Sequence, residues 1–157
     1  MPIQRLIDQD ERTQKRPMRV LVLGMCRLRT TSISSALRKL GYTPHQMRDI
    51  LIKPSELSLW QEAINVTFLP PQDRPTKQRN QPPYTLTDFD KLPSEYDAVI
   101  DLPGCIFAKE LIQAYPKAKV ILMKETTKLG NKACKTVPSV SIPRNYSHYV
   151  VNSTSRI

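Results

Sequence analysis

The sequence predicts an α/β domain, a parallel β-sheet with flanking helices, over residues 18–125. Three observations carry this. Short aliphatic runs stand at residues 19–23, 96–101 and 119–123, and each is bounded by turn or helix signals. Their apolar character is continuous rather than alternating, as in strands buried on both faces. Segments of helical spacing separate them, and the order strand, helix, strand, helix, strand is the pattern of a parallel sheet.

Each element has its own local reason. Residues 1–17, MPIQRLIDQDERTQKRP, are mostly polar and read as a flexible or weakly helical arm ending at Pro17. The first strand ends at Gly24. From Thr31 to Leu40, Ile33, Ala36, Leu37 and Leu40 recur at helical spacing, and Gly41 is placed to stop that helix at its C′ position. A second helix is predicted from Ser55 to Ile64 with Pro54 just ahead of it, where a missing N–H is harmless. Residues 70–85 contain Pro70, Pro71, Pro75, Pro82 and Pro83 and read as an exposed proline-rich loop, dispensable to the core. The second strand follows, then a helix from Cys105 to Tyr115 closed by Pro116, then the third strand. Residues 126–157 lose periodicity and are expected to form an irregular basic tail. Trp60, Phe68 and Phe107 are assigned to the core.

A chain of 157 residues suits one domain, and folding at about this size buries roughly 70% of the extended surface. No apolar run approaches the ~20 residues of a membrane span. The N-terminus lacks the apolar core of a secretion signal. Cys26, Cys105 and Cys134 are far apart, matching neither a metal knuckle nor a complete disulfide framework. A reducing, cytoplasmic setting is the reading that follows. The net charge is +10, and no Asp or Glu occurs from Thr126 onward, where Lys128, Lys132, Lys135, Arg144 and Arg156 lie. A basic tail can grip nucleic acid or an acidic membrane, but these charges are thinly spread and lack clustered stacking aromatics, which disfavours both partners and makes the tail a solvated one.

The chemistry is concentrated in Val20-Leu-Val-Leu-Gly24-Met-Cys-Arg27-Leu-Arg29-Thr30-Thr31-Ser32. A helix N-terminus presents unpaired N–H groups and a positive dipole end, so a strand–loop–helix junction favours an anion. Gly24 supplies a sharp turn, Thr30, Thr31 and Ser32 supply hydroxyls, and Arg27 supplies a fork of donors. Against the pattern G-x-x-x-x-G-K-[ST], the chain has Arg29-Thr30 where Gly-Lys is required, so ATP or GTP hydrolysis is not indicated. No G-x-G-x-x-G follows the first strand, which rejects an NAD-dependent epimerase.

The same stretch resembles fungal sulfotransferase-like P-loop proteins, whose first loop reads G-x-x-R-T-G-T-T-S. Gly24, Arg27, Thr30, Thr31 and Ser32 match; Leu28 and Arg29 depart. The resemblance continues through Leu40-Gly-Tyr42, Asp90-Lys-Leu92, the segment Tyr96 to Pro103, and the segment Glu110 to Leu122, covering residues 18–123. It implies a nucleotide-kinase-like fold whose loop holds the 5′-phosphosulfate of 3′-phosphoadenosine 5′-phosphosulfate, with Arg27 near the transferring sulfuryl group. Gly24, Arg27, Arg29, Thr30, Thr31 and Ser32 are therefore the cofactor-binding candidates, and a small-molecule hydroxyl in fungal secondary metabolism is the expected acceptor. An acceptor hydroxyl needs a general base. His45, in Pro44-His-Gln-Met47, and Asp101, at the end of the second strand, are the catalytic candidates.

Two departures support a second reading, a degenerate, non-catalytic relative acting as a binding or accessory protein. Arg29 replaces a loop glycine, at about 1–2 kcal/mol if that position needs a left-handed backbone. Relatives follow the third strand with a T-V-R-D-P-like segment whose arginine meets the 3′-phosphate; here Met123-Lys-Glu-Thr-Thr127 puts Glu125 there. The resemblance ends at residue 123, so the domain is expected to be incomplete at its C-terminus, with the chain truncated or degenerate beyond.

Overall fold

The computed structural model describes residues 4–24, 30–125 and 148–153. Its centre is a parallel sheet of β1 (Val20–Leu23), β2 (Pro44–His45), β3 (Ala98–Ile100), β4 (Lys119–Glu125) and β5 (His148–Ser153), in the order β2-β3-β1-β4-β5. All neighbouring pairs run parallel, with Leu21 level with Val99 on one side and Val120 on the other. The predicted fold class is therefore correct, but the sheet is wider than three strands. β2 lies beside β3, and β5 falls inside the segment expected to be irregular, where it pairs with β4 from Val120–His148 to Glu125–Ser153.

Helices cover both faces. On one face α1 (Thr30–Lys39) lays Leu37 and Ile33 over Val20, Val22, Ala98, Ile100 and Met123. Gly41, at φ 84°, ends α1, and the Tyr42 N–H returns to the Leu37 carbonyl at 3.0 Å. The other face carries α3 (Pro54–Phe68), α4 (Leu86–Lys91) and α5 (Ala108–Ala114). These bring Leu59, Trp60, Ala63, Phe89, Leu111 and Ile112 onto Leu21, Leu23, Val99 and Val120. A short α2 (Met47–Leu51) links β2 to α3. The helix expected from Cys105 begins as a 3-10 turn, Gly104–Phe107, before α5. Trp60 and Phe107 are buried as expected, at 2% and 0% exposure. Phe68 is not: it is 51% exposed, with its ring 5.4 Å from that of Phe107, because α3 carries it past the edge of the core.

The arm expected to be flexible is docked. Leu6–Gln9 forms a 3-10 turn and Ile7 is fully buried in the α3–α4 core. Its polar neighbours find partners distant in sequence: Arg5 meets Asp88 at 2.9 Å, and Lys91 Nζ reaches the carbonyls of Ile7 and Asp10 at 3.0 and 2.8 Å. The proline-rich loop is a surface segment with two 3-10 turns, Pro71–Asp73 and Thr76–Gln78. It is also tied to α3. The Arg74 guanidinium donates to the carbonyls of Val66 and Leu69, which the helix end leaves unpaired, and Tyr84 is buried.

Candidate functional site

In an open parallel sheet the strand C-termini form the edge where ligands bind. Gly24, Thr30 and Asp101 all stand at that edge. β1 is central and delivers the chain through Gly24 to α1. Gly24 has a packing reason of its own: an added Cβ would collide with the Met123 side chain across the β1–β4 pair. Thr30 opens α1 and is buried, whereas Thr31 and Ser32 are exposed. Ser34 lies one turn on from Thr30, 1% exposed, and its Oγ has no hydrogen-bond partner among the described residues. The first turn of α1 holds no acid, and a helix start carrying hydroxyls is rich in hydrogen-bond donors. Arg27 and Arg29 lie outside the described residues.

Asp101 follows β3, which is hydrogen-bonded to β1. It is 7% exposed and holds φ 55°, the left-handed region where Asp is tolerated better than most residues. Its carbonyl accepts from the Cys105 N–H at 2.9 Å, so Asp101 initiates the turn into Gly104–Phe107. Gly104 is required there, because a Cβ would collide with Val99.

His45 occupies a different environment. It pairs with Val99 in the β2–β3 register and lies with Trp60 and Tyr96, their ring centroids at 6.1 and 4.5 Å. It is 1% exposed, and its Nε2 is 3.2 Å from Glu56 Oε2. Glu56 is itself buried and also receives Lys53 Nζ at 3.1 Å, with Arg12 at 3.5 Å. Burial pushes the Glu56 carboxyl up, but the bonds and charges of His45 and Lys53 outweigh it and hold it below its ordinary value. The hydrogen bond from Lys53 to Tyr96, with those to Glu56, raises the Lys53 ammonium. His45 thus sits in a closed ionic cluster over the α3 face, while α1 covers the other face of the sheet. Sequence reasoning missed its partners. Glu56 could be read as an acid in the first turn of α3, but nothing local marks it as buried.

Among the described residues, no helix is long and apolar enough to cross a membrane. A family model described as a sulfotransferase domain matches residues 19–129. The chain belongs to this sulfotransferase-domain family, and the match runs past residue 123, where the resemblance read from the sequence ended. A fungal relative, Ava biosynthesis cluster protein M of Aspergillus versicolor, is 43% identical over 105 residues. That alignment covers 67% of this chain but 37% of the relative, so the chain spans little more than a third of that protein's length.

Proposed function

We propose that the chain is a sulfotransferase-like protein that holds 3′-phosphoadenosine 5′-phosphosulfate at the β1–α1 junction and serves sulfuryl transfer to a small-molecule hydroxyl in fungal secondary metabolism. The observation that carries this is the donor-rich N-terminus of α1 at the C-terminal edge of the central strand. The fit there is chemical: hydroxyls at Thr30, Thr31 and Ser32, a buried Ser34 Oγ with no hydrogen-bond partner among the described residues, and no acid in the first turn. Gly24, Arg27, Arg29, Thr30, Thr31 and Ser32 would hold the phosphosulfate. When bound, that group supplies an activated sulfuryl on a phosphate leaving group. Arg27 would neutralise charge on the transferring group, and Asp101 would accept the acceptor's proton at the same edge. His45, committed to Glu56, shapes the core behind the site. The chain's match to a biosynthesis cluster protein supports the metabolic setting.

A non-catalytic binding or accessory role is the second reading. Glu125 favours it, because it ends β4 where relatives carry an arginine for the 3′-phosphate. Calorimetric titration with the 3′-phosphorylated donor and with adenosine 5′-phosphosulfate separates the two, alongside turnover on a panel of phenols and alcohols. The enzyme reading expects 3′-phosphate-dependent binding, and a loss of turnover of about 10²–10³-fold in Arg27→Ala. Binding without turnover, improved by Glu125→Arg, supports the accessory role. Absence of binding in the wild type and in Leu28→Thr/Arg29→Gly, with the fold intact, would refute the donor site at the β1–α1 junction.

A further inference from the structure

The opposite edge of the sheet, where the strands begin, carries a feature that the proposed chemistry does not use. Arg16, Arg19, Arg38, Lys39, Lys117 and Lys119 are all exposed, and none makes an ion pair among the described residues. The fold gathers them. Arg19 and Lys119 lead into adjacent strands and are joined by a backbone hydrogen bond of 2.8 Å. Arg19 lies over the Tyr42 ring at 4.4 Å, and Arg16 bonds the Thr43 hydroxyl at 3.1 Å. Because α1 runs antiparallel to β1, its last turn brings Arg38 and Lys39 to the same edge. Nearby acids are committed elsewhere: Asp97 is 5% exposed and accepts from the Thr43 N–H, while Glu95 pairs with Lys15 and Lys53. Leu40 adjoins Arg38 and Lys39 and is 72% exposed.

We propose that this edge is a docking face for an anionic phospholipid surface. Unpaired cations around a protruding leucine match an anionic headgroup layer over an acyl boundary. Nucleic acid is the poorer match. It would need exposed rings for stacking or a groove-filling element, and of the described aromatics near this edge Tyr42 lies under Arg19 while Tyr96 and Tyr115 are buried. Docking this way turns Gly24, Thr30 and Asp101 away from the membrane, leaving the C-terminal edge open to a dissolved donor.

The test is co-sedimentation of the full chain with phosphatidylcholine vesicles, with and without about one-quarter phosphatidylserine, at two salt concentrations. Binding is expected only with phosphatidylserine and should weaken with salt. Arg38→Ser/Lys39→Ser should reduce it roughly 20–30-fold, and Leu40→Ser roughly tenfold. All three positions are exposed, so unchanged thermal unfolding verifies the fold. A Lys128→Ser/Lys132→Ser/Lys135→Ser variant should retain binding. No phosphatidylserine-dependent binding would overturn the proposal. So would binding lost in the tail variant but kept in the edge variants, or a preference for duplex DNA over the vesicles.

Discussion

Replacing Glu62 by alanine should release the N-terminal arm. The Glu62 carboxylate is 1% exposed and accepts three groups: the Leu6 N–H at 3.0 and 2.9 Å, the Ile7 N–H at 3.3 Å, and the Tyr84 hydroxyl at 2.7 Å. Burial, then the bond to Glu62, raises the Tyr84 phenol, which therefore stays a donor. Glu62→Ala removes the acceptor that these three donors share. Leu6 is 41% exposed, so water can satisfy its N–H, and the Tyr84 hydroxyl keeps the Leu59 carbonyl at 3.3 Å, leaving the Ile7 N–H as the costly group. At about 1–3 kcal/mol for a buried unsatisfied group, the loss is about 1–3 kcal/mol, a sizeable part of the stability of a typical domain. Glu62→Gln keeps one accepting oxygen and should lose about half as much. Urea unfolding gives the magnitude, and amide exchange at Ile7 gives the location. An unchanged midpoint, or an Ile7 amide as protected in Glu62→Ala as in the wild type, would refute the claim that this carboxylate holds the arm.

Two further outcomes follow from the same kind of geometry. The Glu56 carboxyl lies below its ordinary value in the folded chain, so its stabilising contribution is complete above the unfolded carboxylate range of roughly 4.3 and disappears as pH falls through the lower folded value. Glu56→Gln should therefore flatten the acid limb of a stability–pH profile and destabilise at neutral pH, and an unchanged acid limb would place the proton uptake elsewhere. Gly104→Ala should destabilise by about 1–3 kcal/mol through overpacking against Val99, and Val99→Ala in the same chain should recover part of that loss; strictly additive unfolding energies would remove the collision as the cause.

What the sequence makes legible is what its local pattern dictates. β1, β3 and β4 announce themselves because strands buried on both faces are continuously aliphatic. α1 is readable because its apolar spacing and Gly41 agree. β2 is not, since Pro44-His45 has neither length nor aliphatic character, and only its pairing with β3 makes it a strand. β5 has the same difficulty: its partner β4 is supplied from another part of the chain. The short α4 did carry a local signal. Thr85 and Asp88 form a capping box, with the Thr85 N–H on the Asp88 carboxylate at 2.7 Å. The docking of the arm is not legible because charge looks solvated until its partners are known, and Glu62, Asp88 and Lys91 lie far away in sequence. For the site, the placement of Gly24, Thr30 and Asp101 at one edge follows from strand order alone. The commitment of His45 to Glu56 depends on a tertiary contact.

Gly24 illustrates why a loop motif and a function are separate questions. Its lack of a side chain suits a phosphate loop, yet the close passage of Met123 demands glycine whether or not any phosphate is bound. A chain that lost its chemistry would keep Gly24 for as long as it kept the β1–β4 packing. The same reasoning applies to Thr30, which is buried against the sheet on the face of α1 that carries Leu37. Thr31 and Ser32 are different. They are exposed, and helix propensity alone would favour alanine at such positions. Hydroxyls there, on an N-terminal turn free of acids, are the groups the proposed donor would engage. Thr31 and Ser32, rather than the glycine that first draws attention to the loop, are the positions at which substitution separates a binding site from a fold that merely resembles one.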